Sequence, residues 1–407
     1  MSFPIKIYLD QSAYGQFLNQ SKNDWKQAEV AKILVREQAA GRAQVWASPT
    51  NVLETLQAND RRRPLATIIL SLTGAKRMWG GSDFERVRDF LGFFDALAPG
   101  FWRQREFYEH HLLVSRRIWI GALALLACPE DLDLSELIET ATRNKTISRL
   151  LHARFAENPN RFITHVKQTV QAMAVTTEDP FEEIKALPLE AMEDQINQLQ
   201  TNFQKVSKDA LRVLNSNRQD WAQAFGAMEI GRLLQSIFDL PMELMLMVDV
   251  RPVVRGWGSL KKRLGWKRSL PKEIATANDT TLLADAAAIQ TVLQEMVYAA
   301  TNVPLLSSYV GYEVIFRELQ RCFNKQTIPT GGLSFDADHS AAVGCFEIVI
   351  SNDRMLVDSL KTIAARVEKQ SNGRLSPSIV ATGAELEKAL QFHAGQAQLH
   401  EEEVTVL

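Results

Sequence analysis

Residues Gly332 to Leu356 read GLSFDADHSAAVGCFEIVISNDRML, and the fold turns on how that stretch divides. Its small residues from Asp336 to about Gly344 predict a helix. Asp336 and Asp338 would open it, where acids suit the helix dipole. Phe346 to Ile350 is apolar apart from Glu347 and predicts a strand. Ser351-Asn352-Asp353-Arg354 then forms the turn that follows. In an open parallel sheet, ligands sit beyond the carboxyl ends of the strands. Asp353 and the helix start would share that edge.

The same pattern appears near the other end of the chain. Ile5 to Leu9 (IKIYL) predicts a strand that ends at Asp10, with a turn through Ser12 and a helix from Tyr14. Gln44 to Ala47 predicts a second strand. Ser48-Pro49-Thr50-Asn51 reads as a helix start with proline near the first helical position. That helix carries Glu54 off its apolar face of Val52, Leu53 and Leu56. A last strand is expected at Ser378 to Thr382. Segments 106–128, 134–155, 161–175, 187–214, 221–250, 279–301 and 305–322 carry helical spacing instead. The expected class is therefore α/β, a parallel sheet flanked by helices and assembled from both chain ends. Its parts would be 1–100 and 330–395, with a large all-helical insertion at 101–329 and an acidic tail at 396–407.

Bulk composition excludes some functions. The 407 residues are 46% hydrophobic and 23% charged, with a formal net charge of -2, as in an ordinary globular protein. No global basic field advertises a nucleic-acid partner, so a nuclease would have to concentrate its basic residues locally. Cys128, Cys322 and Cys345 are odd in number and widely spaced, which argues against a disulfide framework and a zinc site. The first residues lack a signal-peptide pattern. The longest apolar run, Ile118 to Cys128, is too short to span a bilayer and predicts a buried helix. A cytoplasmic protein without a membrane partner fits these features. The sequence leaves homo-oligomerisation open.

Folded together, the two ends would bring Asp10, Glu54, Asp336 or Asp338, and Asp353 to one place. Crowded carboxylates repel strongly and need a proton or a cation. All-oxygen ligands favour Mg²⁺ or Mn²⁺. Such an ion can activate water and clamp a phosphodiester.

The segments IYLDQS (7–12), SPTNVLETL (48–56), DADHSAA (336–342) and EIVISNDRML (347–356) together make the chain resemble the PIN-domain family of metal-dependent nucleases. The resemblance implies a PIN-like parallel sheet and endoribonuclease activity with Mg²⁺ or Mn²⁺. Asp10, Glu54, Asp336 or Asp338, and Asp353 would be ligands, and Ser12 and Ser351 the small polar partners. His339 and Arg354 are candidates for touching RNA. Such nucleases often serve as toxins or in defence. Two departures stand out: the DADH segment offers two acids for one role, and the helical block exceeds what a minimal member needs.

Plainer readings stand beside these. Asp10 suits an Asx turn, Asp336 and Asp338 suit helix caps, and Ser12 and Ser351 suit turns. Arg61-Arg62-Arg63 and the segment Arg251 to Lys272, with Trp257 and Trp266, suit either RNA binding or a solvated loop with buried tryptophans. The 242–247 run MELMLM suits a core. Two alternatives to a ribonuclease remain: a catalytically inactive scaffold that binds a protein partner through its helical insertion, and a DNA-directed nuclease or phosphatase of similar metal chemistry.

Overall fold

A computed structural model describes residues 4–20, 24–129, 133–161, 182–222, 247–300, 305–371 and 375–405, with isolated positions at 163, 164, 168, 226, 230 and 373. Most of the helical expectations at 161–175 and 221–250, and most of the 242–247 run, lie outside these. The protein is α/β and mostly helical. Its sheet has four strands: β1 (Ile5–Leu9), β2 (Ala43–Trp46), β3 (Ile348–Ile350) and β4 (Ser378–Val380). Their order is β2-β1-β3-β4, and every pairing is parallel.

That order puts the outermost strands on opposite sides of the β1–β3 pair. The chain leaves β1 in one direction to reach β2, and leaves β3 in the other to reach β4. The crevice beyond the carboxyl ends of β1 and β3 is therefore the switch point, where open parallel sheets bind ligands. Leu9 pairs with Ile350, so the residues following the two strands emerge side by side. All three residues of β3 are buried, as expected for a strand covered on both faces.

The chain divides into two compact units. One comprises 1–82, 114–144 and 334–407 and holds the sheet; the other comprises 83–113 and 145–333. The sequence placed the divisions at 100 and 330; the compact units assign 83–100 to the helical unit and 114–144 to the sheet unit. The sheet unit's core joins Ile7, Leu9, Val45, Ile348 and Ile350 to α1 (Gln11–Gln20), α2 (Glu29–Ala39) and α4 (Arg62–Thr73). Leu123, Leu126 and Ala141 complete it. The helix Arg105–Ala127 is amphipathic where a buried one was expected: Leu123 is fully buried, while Ile118 is 64% exposed. Among the described residues no helix is long and apolar enough to cross a membrane.

The helical unit has its own core, built around Phe90, Phe94, Phe101, Val253, Trp257, Val292 and Met296. Arg251–Leu264 is a helix ended by Gly265 in the left-handed conformation, which glycine adopts without steric cost. Trp257 and Trp266 are buried there with ring centroids 4.4 Å apart. They are therefore core residues and present no face for a base. The last helix runs Gly383–Thr405, through the segment expected to be a separate acidic tail.

The helix after β2, α3 (Pro49–Leu56), is fixed by a reciprocal cap. Ser48 accepts from Asn51 N–H, and Asn51 Oδ1 accepts from Ser48 N–H at 2.9 Å. Asn51 Nδ2 also donates to Leu9 O at 3.1 Å, which ties the helix start to the end of β1. Asn51→Ala removes the bonds of the Asn51 carboxamide at a buried site and leaves the Asn51 N–H bond to Ser48. We expect it to destabilise the sheet unit by about 2 kcal/mol, read as a lower denaturant midpoint with unchanged slope.

Candidate functional site

Asp10 follows β1 and is only 3% exposed. Its carboxylate accepts hydrogen bonds from Ser12 Oγ at 2.8 Å, Ser351 Oγ at 2.7 Å and Ala13 N–H at 2.9 Å. Ser12 Oγ in turn accepts from Asn352 N–H at 2.8 Å and Asp353 N–H at 3.0 Å. The two hydroxyls thus stitch the turn after β1 to the turn after β3. Burial raises the pKa of Asp10, opposed first by His339 and then by the hydrogen bonds from Ser351, Ala13 and Ser12.

The helix holding the other acids spans Leu333–Ser340 and is followed by a 3-10 turn at Ala341–Gly344. It begins three residues ahead of Asp336, so Asp338 falls in its middle and not in its first turn. Two residues apart on an α-helix means about 200° around the axis. The acids therefore point to different places. Asp338 accepts from Ser82 Oγ at 2.6 Å. Asp336 is on the side of the other acids, whose charges act on it. Burial and the charges of Glu54, Asp353 and Asp10, opposed by His339, push its carboxyl up to about 8.

His339 follows Asp336 by three positions, on nearly the same helix face. It is 2% exposed. Its Nε2 lies 2.7 Å from Glu54 Oε2 and its Nδ1 lies 2.5 Å from Tyr8 Oη. Burial alone would lower its pKa. The Glu54 carboxylate, by charge and hydrogen bond, outweighs this together with Asp10 and Asp336, and holds the imidazole at about 9. At neutral pH the ring is therefore cationic, and both nitrogens donate. Tyr8, whose burial keeps the phenol neutral, accepts from His339 and donates to Ser48 Oγ at 2.7 Å. A buried chain of hydrogen bonds thus runs from Glu54 through His339 and Tyr8 to the cap of α3.

Asp353 is the N-cap of the helix Arg354–Gln370, with Oδ1 accepting from Met355 N–H and Leu356 N–H at 2.8 and 3.1 Å. Its side chain is exposed, as is that of Arg354. The structure therefore gathers Asp10, Glu54, Asp336 and Asp353 with His339, Ser12 and Ser351, and sets Asp338 apart. Among the described residues no three His, Cys, Asp or Glu side chains are arranged to hold a metal ion. The donor chemistry, hard carboxylate oxygens short of positive charge, suits such an ion. Their present partners are His339 for Glu54 and two hydroxyls for Asp10.

Sequence reasoning missed Tyr8, Ser48 and Asn51, whose hydrogen bonds link the histidine back to the sheet. The Ser48-Pro49-Thr50-Asn51 cap signal was available for two of them. Arg61, which suits RNA binding or a solvated loop by sequence, has its Nη2 donating to Gly15 O and Asn19 Oδ1 at 2.9 and 3.2 Å. Arg62 likewise donates to Leu56 O at 2.8 Å. No protein-family model, no curated protein and no solved structure matches the chain. The fold and site define an α/β protein with an acid and histidine cluster at the switch point of a parallel sheet.

The charges predict a pH dependence. His339 binds its proton more tightly folded, at about 9 against 6.5, so its contribution is present below 6.5 and lost as pH rises through about 9. Asp336 also holds its proton more tightly folded, at about 8 against 3.8, so ionising it opposes folding increasingly from 3.8 to about 8. Both act in one direction. In metal-free buffer the thermal midpoint should fall between about pH 6 and about pH 9, and Asp336→Asn should flatten that fall. A midpoint that rises over this interval would contradict the assignment.

Proposed function

We propose that the protein is a divalent-metal-dependent phosphodiesterase acting on RNA as an endoribonuclease. The observation that carries the reading is the gathering of Asp10, Glu54, Asp336 and Asp353, from four separate chain segments, at the β1–β3 crevice. The resemblance of the acid motifs to PIN-domain nucleases points the same way. Buried carboxylates with insufficient countercharge are costly to keep, which makes sense where a cation completes the charge.

Asp10, Asp336 and Asp353 would hold Mg²⁺ or Mn²⁺, with Glu54 joining them if it leaves His339. The ion would supply an activated water and neutralise charge on the phosphodiester. The chain's own groups do the rest. Ser12 and Ser351 fix the Asp10 carboxylate through hydrogen bonds of 2.8 and 2.7 Å. His339 holds Glu54 in place and offsets its charge. Arg354, exposed beside Asp353, is free to meet a phosphate. Asp338, turned to Ser82, has no part in this set.

One observation favours a second reading, a non-catalytic scaffold. The His339 cation already compensates Glu54 at 2.7 Å. In that reading the histidine stands where a metal would, and the helical unit binds a protein partner.

Cleavage assays separate the two. With Mn²⁺ or Mg²⁺ and several RNAs, the wild type should cleave, and Asp10→Ala and Asp336→Ala should each lose at least about 100-fold in rate, on the scale of removing a group that stabilises the transition state. Asp338→Ala should retain activity. If wild type and Asp10→Ala leave the same residual cleavage, the hydrolase reading fails and the scaffold stands. Parallel assays on single- and double-stranded DNA and on phosphomonoesters would show whether the substrate lies elsewhere in the same chemistry.

A further inference from the structure

A cleft of about 860 Å³ opens within the sheet unit, lined by residues that follow β1, β3 and β4 and by the α3–α4 segment. Four carboxamides border it, Gln11, Gln16, Asn19 and Asn352, and two of them, Gln11 and Asn352, carry an atom with unmet hydrogen bonding. Gln11 Nε2 donates to Thr55 Oγ1 at 2.9 Å, leaving Oε1 buried without a hydrogen-bond partner. Asn352 Nδ2 is likewise buried and without a partner. More than nine in ten buried polar groups in proteins have a partner, so each such atom asks for a reason. Here two belong to residues that line one cleft, and they are complementary, one acceptor and one donor.

Their placement follows from the sheet. Leu9 pairs with Ile350, so Gln11 and Asn352 each stand two residues past a paired position on adjacent strands. Ser12 Oγ, next in the chain to Gln11, accepts the Asn352 N–H at 2.8 Å and fixes the two turns together. The cleft's charge is also defined. Glu54 is the acid in its wall, and His339 pairs with it. Arg61 and Arg354 are the cations in the wall. Arg61 is held by Gly15 O and Asn19 Oδ1, while Arg354 is exposed and has no acidic partner among the described residues.

A ligand that meets these demands carries a donor and an acceptor on one rigid edge and a negative charge beside it. Nucleobases present such edges to asparagine and glutamine, and arginine binds the attached phosphate. We propose that this cleft is a nucleotide-binding subsite, in which Gln11 and Asn352 take the edge of one base and Arg354, with Arg61, takes its phosphate. The nucleotide is either a unit of an RNA strand or a free nucleotide. The first source rests on the hydrolase reading above; the subsite itself does not.

Binding can be measured without cleavage, on the full chain in EDTA, by calorimetry. The probes are the four nucleoside 5′-monophosphates, ribose 5-phosphate and the four homopolymeric ribo-pentanucleotides. At least one monophosphate should bind about tenfold more tightly than ribose 5-phosphate, the size of one good base contact. Asn352→Leu and Gln11→Met, which leave the charge unchanged, should each erase that tenfold while ribose 5-phosphate binds as before. Arg354→Ala should weaken monophosphates and ribose 5-phosphate alike. A pentanucleotide that outbinds its monophosphate marks a strand unit; equal binding marks a free nucleotide. Base-indifferent binding, no binding, or a base preference that survives in the folded carboxamide variants overturns the proposal. Should Asn352→Leu fail to fold, Gln11→Met carries the test. A chain that binds nucleotides in this way and cleaves no RNA would lose the hydrolase reading and keep the subsite.

Discussion

The parallel pairing of β1 with β3 is the constraint on which the rest depends. It joins residues as far apart as Ser351 and Asp10, 341 positions along the chain, through a hydrogen bond of 2.7 Å. A flexible loop of that length would cost about 5 kcal/mol to close by the (3/2)RT ln n rule. Much of the intervening chain is folded, which shortens the flexible part. The pairing is reinforced where it matters. Asp10 N–H donates to Ile350 O at 3.0 Å, and the hydroxyls of Ser12 and Ser351 continue the link past the strands. Asp10 and Asp353 take their positions from this seam.

Charge is the second determinant. Low local dielectric makes unlike charges attract strongly and leaves uncompensated ones costly. Glu54 has His339; Asp10 has hydroxyls and an amide; Asp353 has the first turn of its helix. Asp336 has the least direct compensation and responds by holding a proton. The order of these four environments explains why the cluster is tolerated. It also shows where an added positive charge would have the largest effect. The seryl hydroxyls matter in the same way: both donate to the buried Asp10 carboxylate and fix it.

Much of this was legible in the sequence, and the failures have physical causes. A strand ending in an acid is a local pattern, so Asp10 and Asp353 were found at both ends, with the α/β class. The choice between Asp336 and Asp338 depended on where a helix begins. Leu333 starts it without a side-chain signal that single residues reveal, and the phase then separates the two acids. Tyr8 was hidden because an aromatic residue inside an apolar strand reads as core. It is core, and its hydroxyl also serves His339, 331 positions away. Gln11 and Asn352 are unremarkable as turn residues, and only the strand register makes them neighbours. The alternation of exposed Ile118 with buried Leu123 was masked by an almost continuous apolar run, which carries no phase.

Chain topology has a consequence for biosynthesis. The first two strands and most of the final sheet core leave the ribosome early, while β3 and its acids come 341 positions behind the partner they must meet. At roughly 5 to 20 residues per second, that interval lasts roughly 20 to 70 seconds. Throughout it, the flank of β1 that β3 will cover remains open, and Asp10 lacks Ser351. Whatever chemistry the crevice performs is thereby withheld from every nascent chain until β3 has been made and paired.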